Sequence, residues 1–189
     1  IELKKDETVE LSYGVLATEK DKEDGSIRIQ VSYERLTDHL EPGGTVLLDN
    51  GLIPLEVVEK TGDSIRCKVL QDSMLGSRRH VNLPGIETDL PSITQKDRKD
   101  TLVGIECKHD YFALSFTRDA DAIDLFRRFL QENNSDAQII AKIEDQQGVS
   151  NLDEIISASD ALMVARGDLG IECAFEELPI IQRRAVGAC

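Results

Sequence analysis

The chain has 189 residues, and its 36 acidic and 22 basic side chains give it a net charge of −14. Hydrophobic residues make up 40% and charged residues 31% of the chain, which is typical of a folded globular protein and excludes a disordered one. The acidic balance excludes general nucleic-acid binding, which needs a basic face to neutralise phosphates. The sequence has neither an apolar run long enough to span a membrane nor a leader peptide, so we expect a cytoplasmic protein.

The first half of the chain, up to about Pro91, alternates apolar and polar residues with a period of two, as half-buried strands do. The alternating positions are Val9, Leu11 and Tyr13, then Ile27, Ile29, Val31 and Tyr33, and then Ile65, Cys67 and Val69. Turn signals such as Asp24-Gly25 and Asn50-Gly51 separate these segments. Several short strands at near-regular spacing predict that residues 1–90 form a small all-β barrel or sandwich domain.

In the second half, residues 91–189, helix and strand signals alternate. Thr94 with Asp97, and Ser150 with Asp153, are spaced as capping boxes that open helices. The predicted helices are 94–107, 119–131, 150–159 and one that starts at Pro179, and the predicted strands are 111–117, 137–143 and 161–165. This order predicts an α/β domain whose three parallel strands are joined by right-handed helical crossovers.

Charged residues follow two of these predicted strands, at the sheet edge where parallel α/β proteins place their sites. Lys142 and Glu144 are two residues apart, so on a strand they point to the same side. Asp168 follows the next strand, whose backbone would lie about 5 Å away. Two converging carboxylates beside a lysine match what Mg²⁺ prefers, and Gly167 permits close approach of a ligand.

Each of these features also has a purely structural interpretation. Lys142, Glu144 and Asp168 could form a salt-bridge network without any ligand. Ser115 has no histidine nearby, so hydrogen bonding or packing is its default role. Arg79 belongs to a basic run that is more often solvated charge. The four cysteines and three histidines are scattered without the spacing of a zinc site or of a disulfide framework.

Six segments of the chain together resemble the pyruvate kinase family, in that family's order. They are VLLDNGL (46–52), LGSRRHVNLPG (75–85), DLPSITQKD (89–97), YFALSFTR (111–118), IAKIEDQQG (140–148) and SDALMVARGDLGIE (159–172). The resemblance implies an inserted β-barrel lid domain at residues 1–90. It also implies that residues 91–189 are three consecutive strands, with their helices, of a TIM (β/α)8 barrel. A complete barrel needs about 250 residues, so we expect a fragment.

The resemblance also implies a function, namely transfer of the phosphoryl group of phosphoenolpyruvate to ADP in glycolysis, giving ATP and pyruvate. Lys142 matches the lysine that stabilises the phosphoryl group in transit, and Glu144 and Asp168 match the ligands of Mg²⁺ or Mn²⁺. Ser115, Gly167 and Asp168 match positions at the substrate. Arg79 matches a position that could meet nucleotide phosphate.

Some family features are absent or altered. The ligands of the family's K⁺ lie mostly outside this chain, and we expect the isolated chain to have no turnover. Asn50 stands where the family usually has a second aspartate, and Arg79-His80 replaces a more typical Lys-Gly. The alternatives are a magnesium-dependent aldolase or lyase that uses pyruvate or phosphoenolpyruvate, and a non-catalytic nucleotide-binding homologue. The resemblance implies a homotetrameric parent enzyme.

Overall fold

A computed structural model of the chain describes residues 1–14, 19–20, 26–86 and 88–189. The chain divides into two compact units, Ile1–Thr88 and Asp89–Cys189. The predicted turn at Asp24-Gly25 lies outside the described residues. None of the helices that the structure describes is long and apolar enough to cross a membrane.

The described part of the first unit consists of short strands and one single-turn helix. They are β1 (Glu2–Leu3), β2 (Thr8–Ser12), β3 (Glu19–Lys20), β4 (Ile27–Gln30), α1 (Leu36–His39), β5 (Thr45–Leu48), β6 (Ile53–Thr61), β7 (Ser64–Val69), β8 (Ser73–Met74) and β9 (Val81–Asn82). Seven strands form a mixed sheet in the order β3-β4-β2-β7-β6-β5-β9, and β1 pairs with β8. Within the mixed sheet the β2–β4 pair is parallel, and the other described pairs are antiparallel.

The core of this unit follows the predicted alternation in most places, because every second side chain of these strands points inward. Its buried residues include Val9, Leu11, Ile27, Ile29, Ile65, Cys67 and Val69. Tyr13 is an exception. It is 49% exposed because β2 ends at Ser12, before the positive-φ residue Gly14. Val31 and Tyr33 are buried as predicted but lie after the end of β4, on the way to α1, so the prediction of an all-β segment missed this helix.

The predicted turn at Asn50-Gly51 joins β5 to β6. Both residues have positive φ, +56° and +81°, as a type I′ turn requires. The amide of Leu52 donates to the carbonyl of Asp49 at 3.2 Å, which closes the turn. Asp49 also has positive φ, +52°, a conformation that aspartate and asparagine tolerate better than most residues.

The second unit contains a three-stranded parallel sheet and its helices. In chain order they are α2 (Gln95–Glu106), β10 (Tyr111–Leu114), α3 (Ala120–Glu132), β11 (Gln138–Ile143), α4 (Gln146–Ser150), α5 (Leu152–Ala158), β12 (Ala161–Val164), α6 (Arg166–Glu172) and α7 (Leu178–Ala188). The strand order is β10-β11-β12. The core lies where α3, α5 and α7 pack on this sheet, and it includes Ile123, Leu130, Ile139, Ile143 and Ile155.

Local capping explains where two of these helices begin. The predicted capping box at Thr94 and Asp97 is confirmed, with the backbone and side-chain bonds both present. The second predicted box, at Ser150 and Asp153, is wrong. Asp145 caps α4 by accepting the amide of Gly148, so Ser150 is already helical and its hydroxyl donates back to the carbonyl of Gln146.

Candidate functional site

The candidate site lies at the carboxyl ends of the three parallel strands of the second unit. Leu114 pairs with Ala141, and Ile143 pairs with Val164. Ser115 therefore follows β10 beside Lys142, and the residues after β11 and β12 leave the sheet at the same edge. Parallel sheets present their ligand sites at this edge.

Lys142 and Glu144 are in direct contact, as their spacing predicts. The Lys142 Nζ lies 2.5 Å from Glu144 Oε1, and it donates to the Ser115 hydroxyl at 2.9 Å. The Glu144 side chain is only 3% exposed and the Lys142 side chain 20%. A carboxylate this deeply buried needs a compensating charge and hydrogen bonds, because burial removes its solvation.

The second oxygen of Glu144 is held by the backbone of the neighbouring strand end. The Phe116 amide donates to Glu144 Oε2 at 2.5 Å. Phe116 has a φ of +50°, in the left-handed region that a bulky residue rarely adopts. Strain of this kind persists where the surrounding structure holds the residue in place, and it concentrates at functional sites. Sequence reasoning missed this contact, because no residue pattern marks a phenylalanine with positive φ.

Gly167 and Asp168 lie in the first turn of α6, directly after β12. The amide of Ala165 donates to the carbonyl of Ile143 at 3.1 Å, so the start of α6 is anchored next to Glu144. A Cβ added to Gly167 would meet no atom within 4 Å, so its backbone faces open space. Glu144 and Asp168 therefore follow neighbouring strands, and Asp168 is half-buried.

The donor set fits a divalent ion that is shared with a ligand. In the described part of the chain, no group of three or more His, Cys, Asp or Glu side chains could hold a metal by itself. Mg²⁺ commonly uses only one or two protein carboxylates and completes its octahedron with water and substrate oxygens. Each oxygen of Glu144 accepts one bond and keeps further acceptor capacity. The two carboxylates thus suit an open magnesium site rather than a closed one.

Arg79 belongs to the first unit, in the segment between β8 and β9. Its Nη1 lies 3.3 Å from Asp49 Oδ1, and its guanidinium lies over Gly76, where an added Cβ would sit 2.7 Å from Nε. A cavity of about 730 Å³ adjoins this loop, with apolar walls that include Ile29 and Leu48. Asn50, at the adjacent turn, is exposed.

A second ion pair beside the site was also missed from the sequence. Arg118 Nε lies 2.9 Å from Asp145 Oδ2, and the two side chains are 16% and 14% exposed. A signal existed, since each residue is next to or near a predicted strand end. The sequence could not show that these two charges meet across 27 residues.

Comparisons with known proteins agree on one family. The family model for the pyruvate kinase barrel domain matches residues 1–189. Pyruvate kinase of Geobacillus stearothermophilus is 46% identical over 165 residues, which is 86% of this chain and 28% of that protein. Plastidial pyruvate kinase 2 of Arabidopsis thaliana is 42% identical over 161 residues, which is 85% of this chain and 28% of that protein.

A solved structure agrees with these relatives. A crystal structure of a pyruvate kinase from Cryptosporidium parvum superimposes with a TM-score of 0.85 at 36% identity, covering all of this chain and 39% of that chain. The chain therefore spans well under half the length of the proteins it matches. None of these matches favours the aldolase or lyase alternative.

Proposed function

The chain belongs to the pyruvate kinase family, and from this premise we propose that it is part of a transferase that moves the phosphoryl group of phosphoenolpyruvate to ADP, giving ATP and pyruvate. The observation that carries the proposal is the contact set of Lys142, whose Nζ lies 2.5 Å from Glu144 and 2.9 Å from Ser115. Phosphoryl transfer depends mainly on positioning and electrostatic stabilisation, which a fixed cation at a strand end supplies.

Lys142 is the catalytic residue of this proposal, and Ser115 orients it. Without substrate, Glu144 neutralises the Lys142 ammonium. The Lys142 side chain is 20% exposed and that of Glu144 3%, so little charge faces solvent. An incoming phosphoryl group offers Lys142 a second anionic partner. The ammonium, which has three donors, can then bridge the phosphoryl oxygens and the Ser115 hydroxyl.

Glu144 and Asp168 are the proposed ligands of Mg²⁺ or Mn²⁺. When bound, such an ion would neutralise charge on the phosphoryl and enolate oxygens. The protein's part is to position the two carboxylates: the Phe116 amide holds the Glu144 carboxylate, and Asp168 lies in the first turn of α6, after the neighbouring strand. The open backbone at Gly167 would receive the substrate carboxylate. The parent enzyme's K⁺ would be bound mostly by residues outside this chain.

The proposal also covers the architecture and surroundings of the site. Residues 1–90 would be the inserted β-barrel lid domain, and residues 91–189 three strands of the (β/α)8 barrel. The division at Thr88 and Asp89 and the different sheet types of the two units support this. Arg79, beside its cavity, would contact nucleotide phosphate. The parent enzyme would be a homotetramer. A cytoplasmic location stays a prediction, since one of the relatives is named plastidial.

The metal part of the proposal is tested by binding of Mn²⁺ and phosphoenolpyruvate to the complete polypeptide that contains this chain. Glu144→Gln and Asp168→Asn should each weaken Mn²⁺ binding at least 10-fold, since each removes a proposed ligand charge. Asp153→Asn, on the exposed side of α5, is the matched control and should bind like the unmodified protein. Unchanged Mn²⁺ affinity in both site variants would disprove the metal site.

A further inference from the structure

One ion pair ties together the two segments that carry the candidate site. Arg118 lies two residues after Phe116, and Asp145 directly follows Glu144. Their side chains meet at 2.9 Å and are largely shielded from solvent, with 16% and 14% exposed. Neither residue is placed to be a metal or substrate ligand in the proposal above. The pair connects the segment that supplies the Phe116 amide to the segment that supplies the Glu144 carboxylate.

Both partners are fixed by further hydrogen bonds. Asp145 uses its other oxygen to accept the Gly148 amide at 2.8 Å. The backbone carbonyl of Arg118 accepts a hydrogen bond from the Asn151 side-chain amide at 2.8 Å, and Nη1 of Arg118 donates to the carbonyl of Leu90 at 3.5 Å. A change in the distance between the two segments would therefore break several bonds together.

The two segments pack closely where Gly148 faces Thr117. A Cβ added to Gly148 would lie 2.7 Å from the carbonyl oxygen of Thr117. Thr117 itself is fully buried, and its amide donates to the carbonyl of Lys142 at 3.2 Å. The strained Phe116, with φ of +50°, sits inside this tight region. Its amide can point at Glu144 only while the residues on both sides are held.

We infer that Arg118 and Asp145 are positioning residues that hold the Phe116 amide on Glu144 and so preset the carboxylate for a divalent ion. The inference rests on the proposed function, because it assigns a role toward the same metal site. Stability alone does not explain the pair, since the desolvation of a partly buried ion pair offsets much of its attraction. Groups that orient a ligand from behind commonly change metal affinity or activity about 10- to 100-fold when they are removed.

The test uses Arg118→Met and Asp145→Asn in the complete polypeptide, with Mn²⁺ alone as the probe. Asp145→Asn keeps an oxygen for the Gly148 amide, but it removes the charge and turns a donor, in place of an acceptor, toward Arg118. Each variant should raise the Mn²⁺ dissociation constant about 10-fold and lower kcat by a similar factor. Arg118→Lys keeps the charge without the planar fork, so it should recover part of the affinity.

The matched control is a similar ion pair at the opposite end of the same strands. Arg127 Nη1 lies 3.0 Å from Asp160 Oδ2, and Arg127 Nη2 donates to the carbonyl of Ala158 at 2.8 Å. Arg127→Met and Asp160→Asn therefore remove a comparable set of bonds far from the site. They should lower the melting temperature, with Mn²⁺ affinity and kcat unchanged.

Two results would overturn the positioning role. One is a Mn²⁺ affinity in Arg118→Met and Asp145→Asn that is unchanged from that of the unmodified protein. The other is an equal loss of affinity in the test and control pairs, which would make the effect a general loss of stability. A failure of the proposed function is distinguishable, because Glu144→Gln would then also leave Mn²⁺ binding unchanged.

Discussion

Lys142→Met should destabilise the second unit, because it leaves the Glu144 carboxylate buried without its cation. Removing one partner of a fully buried pair typically costs about 3–5 kcal/mol of unfolding free energy. Here the Lys142 side chain is 20% exposed, and Glu144 keeps the hydrogen bond from the Phe116 amide. Both facts lower the cost, so we expect a loss of about 2–3 kcal/mol.

The second step replaces both charges. Lys142→Met/Glu144→Met removes the unpaired carboxylate and fills the space with apolar groups of similar volume. Such exchanges are often neutral or stabilising, but here the Phe116 amide also loses its acceptor. The double variant should therefore regain most of the stability that Lys142→Met loses, while losing its proposed chemistry. A double variant that regains stability but not activity would show that the two charges serve the site and not the packing of the core.

The assay is urea unfolding at pH 7 with EDTA present, so that bound metal does not contribute. We compare the urea concentrations at the unfolding midpoint, because the dependence of the unfolding free energy on urea concentration, m, should be the same in all variants. Lys142→Met within about 0.5 kcal/mol of the unmodified protein, the usual range for surface substitutions, would refute the reasoning. A double variant less stable than Lys142→Met would refute it as well.

Three further predictions follow from other parts of the chain. Burial raises the pKa of Cys67 to about 12, so a thiol reagent should modify this residue only when the protein unfolds. Mass spectrometry should show Cys67 modified more slowly than the exposed Cys107 and Cys189. The hydrogen bond from the Ile139 amide, with a smaller contribution from an arginine, lowers the pKa of Asp160. The stabilisation from Asp160 is therefore fully present above its unfolded pKa of about 3.9 and is lost as the pH falls through the lower folded pKa. In Asp160→Asn the urea unfolding midpoint should accordingly depend less on pH across that acid range. Asp49→Asn should release the half-exposed Arg79 side chain from an ion pair worth about 0.2–1 kcal/mol, so tripolyphosphate should bind up to about 5-fold more tightly by calorimetry.

Each of these has an outcome that would contradict it. Modification of Cys67 at the rate of the exposed cysteines would show that its strand opens readily. An unchanged acid dependence in Asp160→Asn would mean that this carboxylate titrates alike in the folded and unfolded states. Weaker tripolyphosphate binding in Asp49→Asn would show that Asp49 supports the basic loop. Asparagine tolerates positive φ as aspartate does, so backbone strain would not explain that loss.

The sequence predicted those parts of the fold that depend on local interactions. The Thr94–Asp97 capping box joins residues three apart, and the contact of Lys142 with Glu144 follows from the two-residue period of a strand. The Ser150 box failed because a stronger local signal, the cap at Asp145, had already started a helix. These local patterns therefore predicted the structure correctly where a segment carried one capping signal, and failed where two such signals competed.

The parts of the site that the sequence did not predict depend on distant segments meeting. The Phe116 amide reaches Glu144 across 28 residues, and it does so from a backbone conformation that phenylalanine does not favour. The Arg118–Asp145 pair joins the same two segments. Periodicity placed the strands, but it did not place the end of β10, which was predicted at Thr117 and lies at Leu114. It also does not fix the turn that follows a strand or the charge that this turn meets.

The most direct test of the central claim is phosphoenolpyruvate-dependent ATP formation from ADP by the complete polypeptide, compared with its Lys142→Met variant. The measurement is made below the unfolding midpoint of the variant, with Arg127→Met as a control for stability. We predict that Lys142→Met lowers kcat about 100- to 1,000-fold, as expected for loss of one preorganised electrostatic group, while the control retains its rate. A Lys142→Met protein that forms ATP as fast as the control would contradict the assignment of this lysine and of the site built around it.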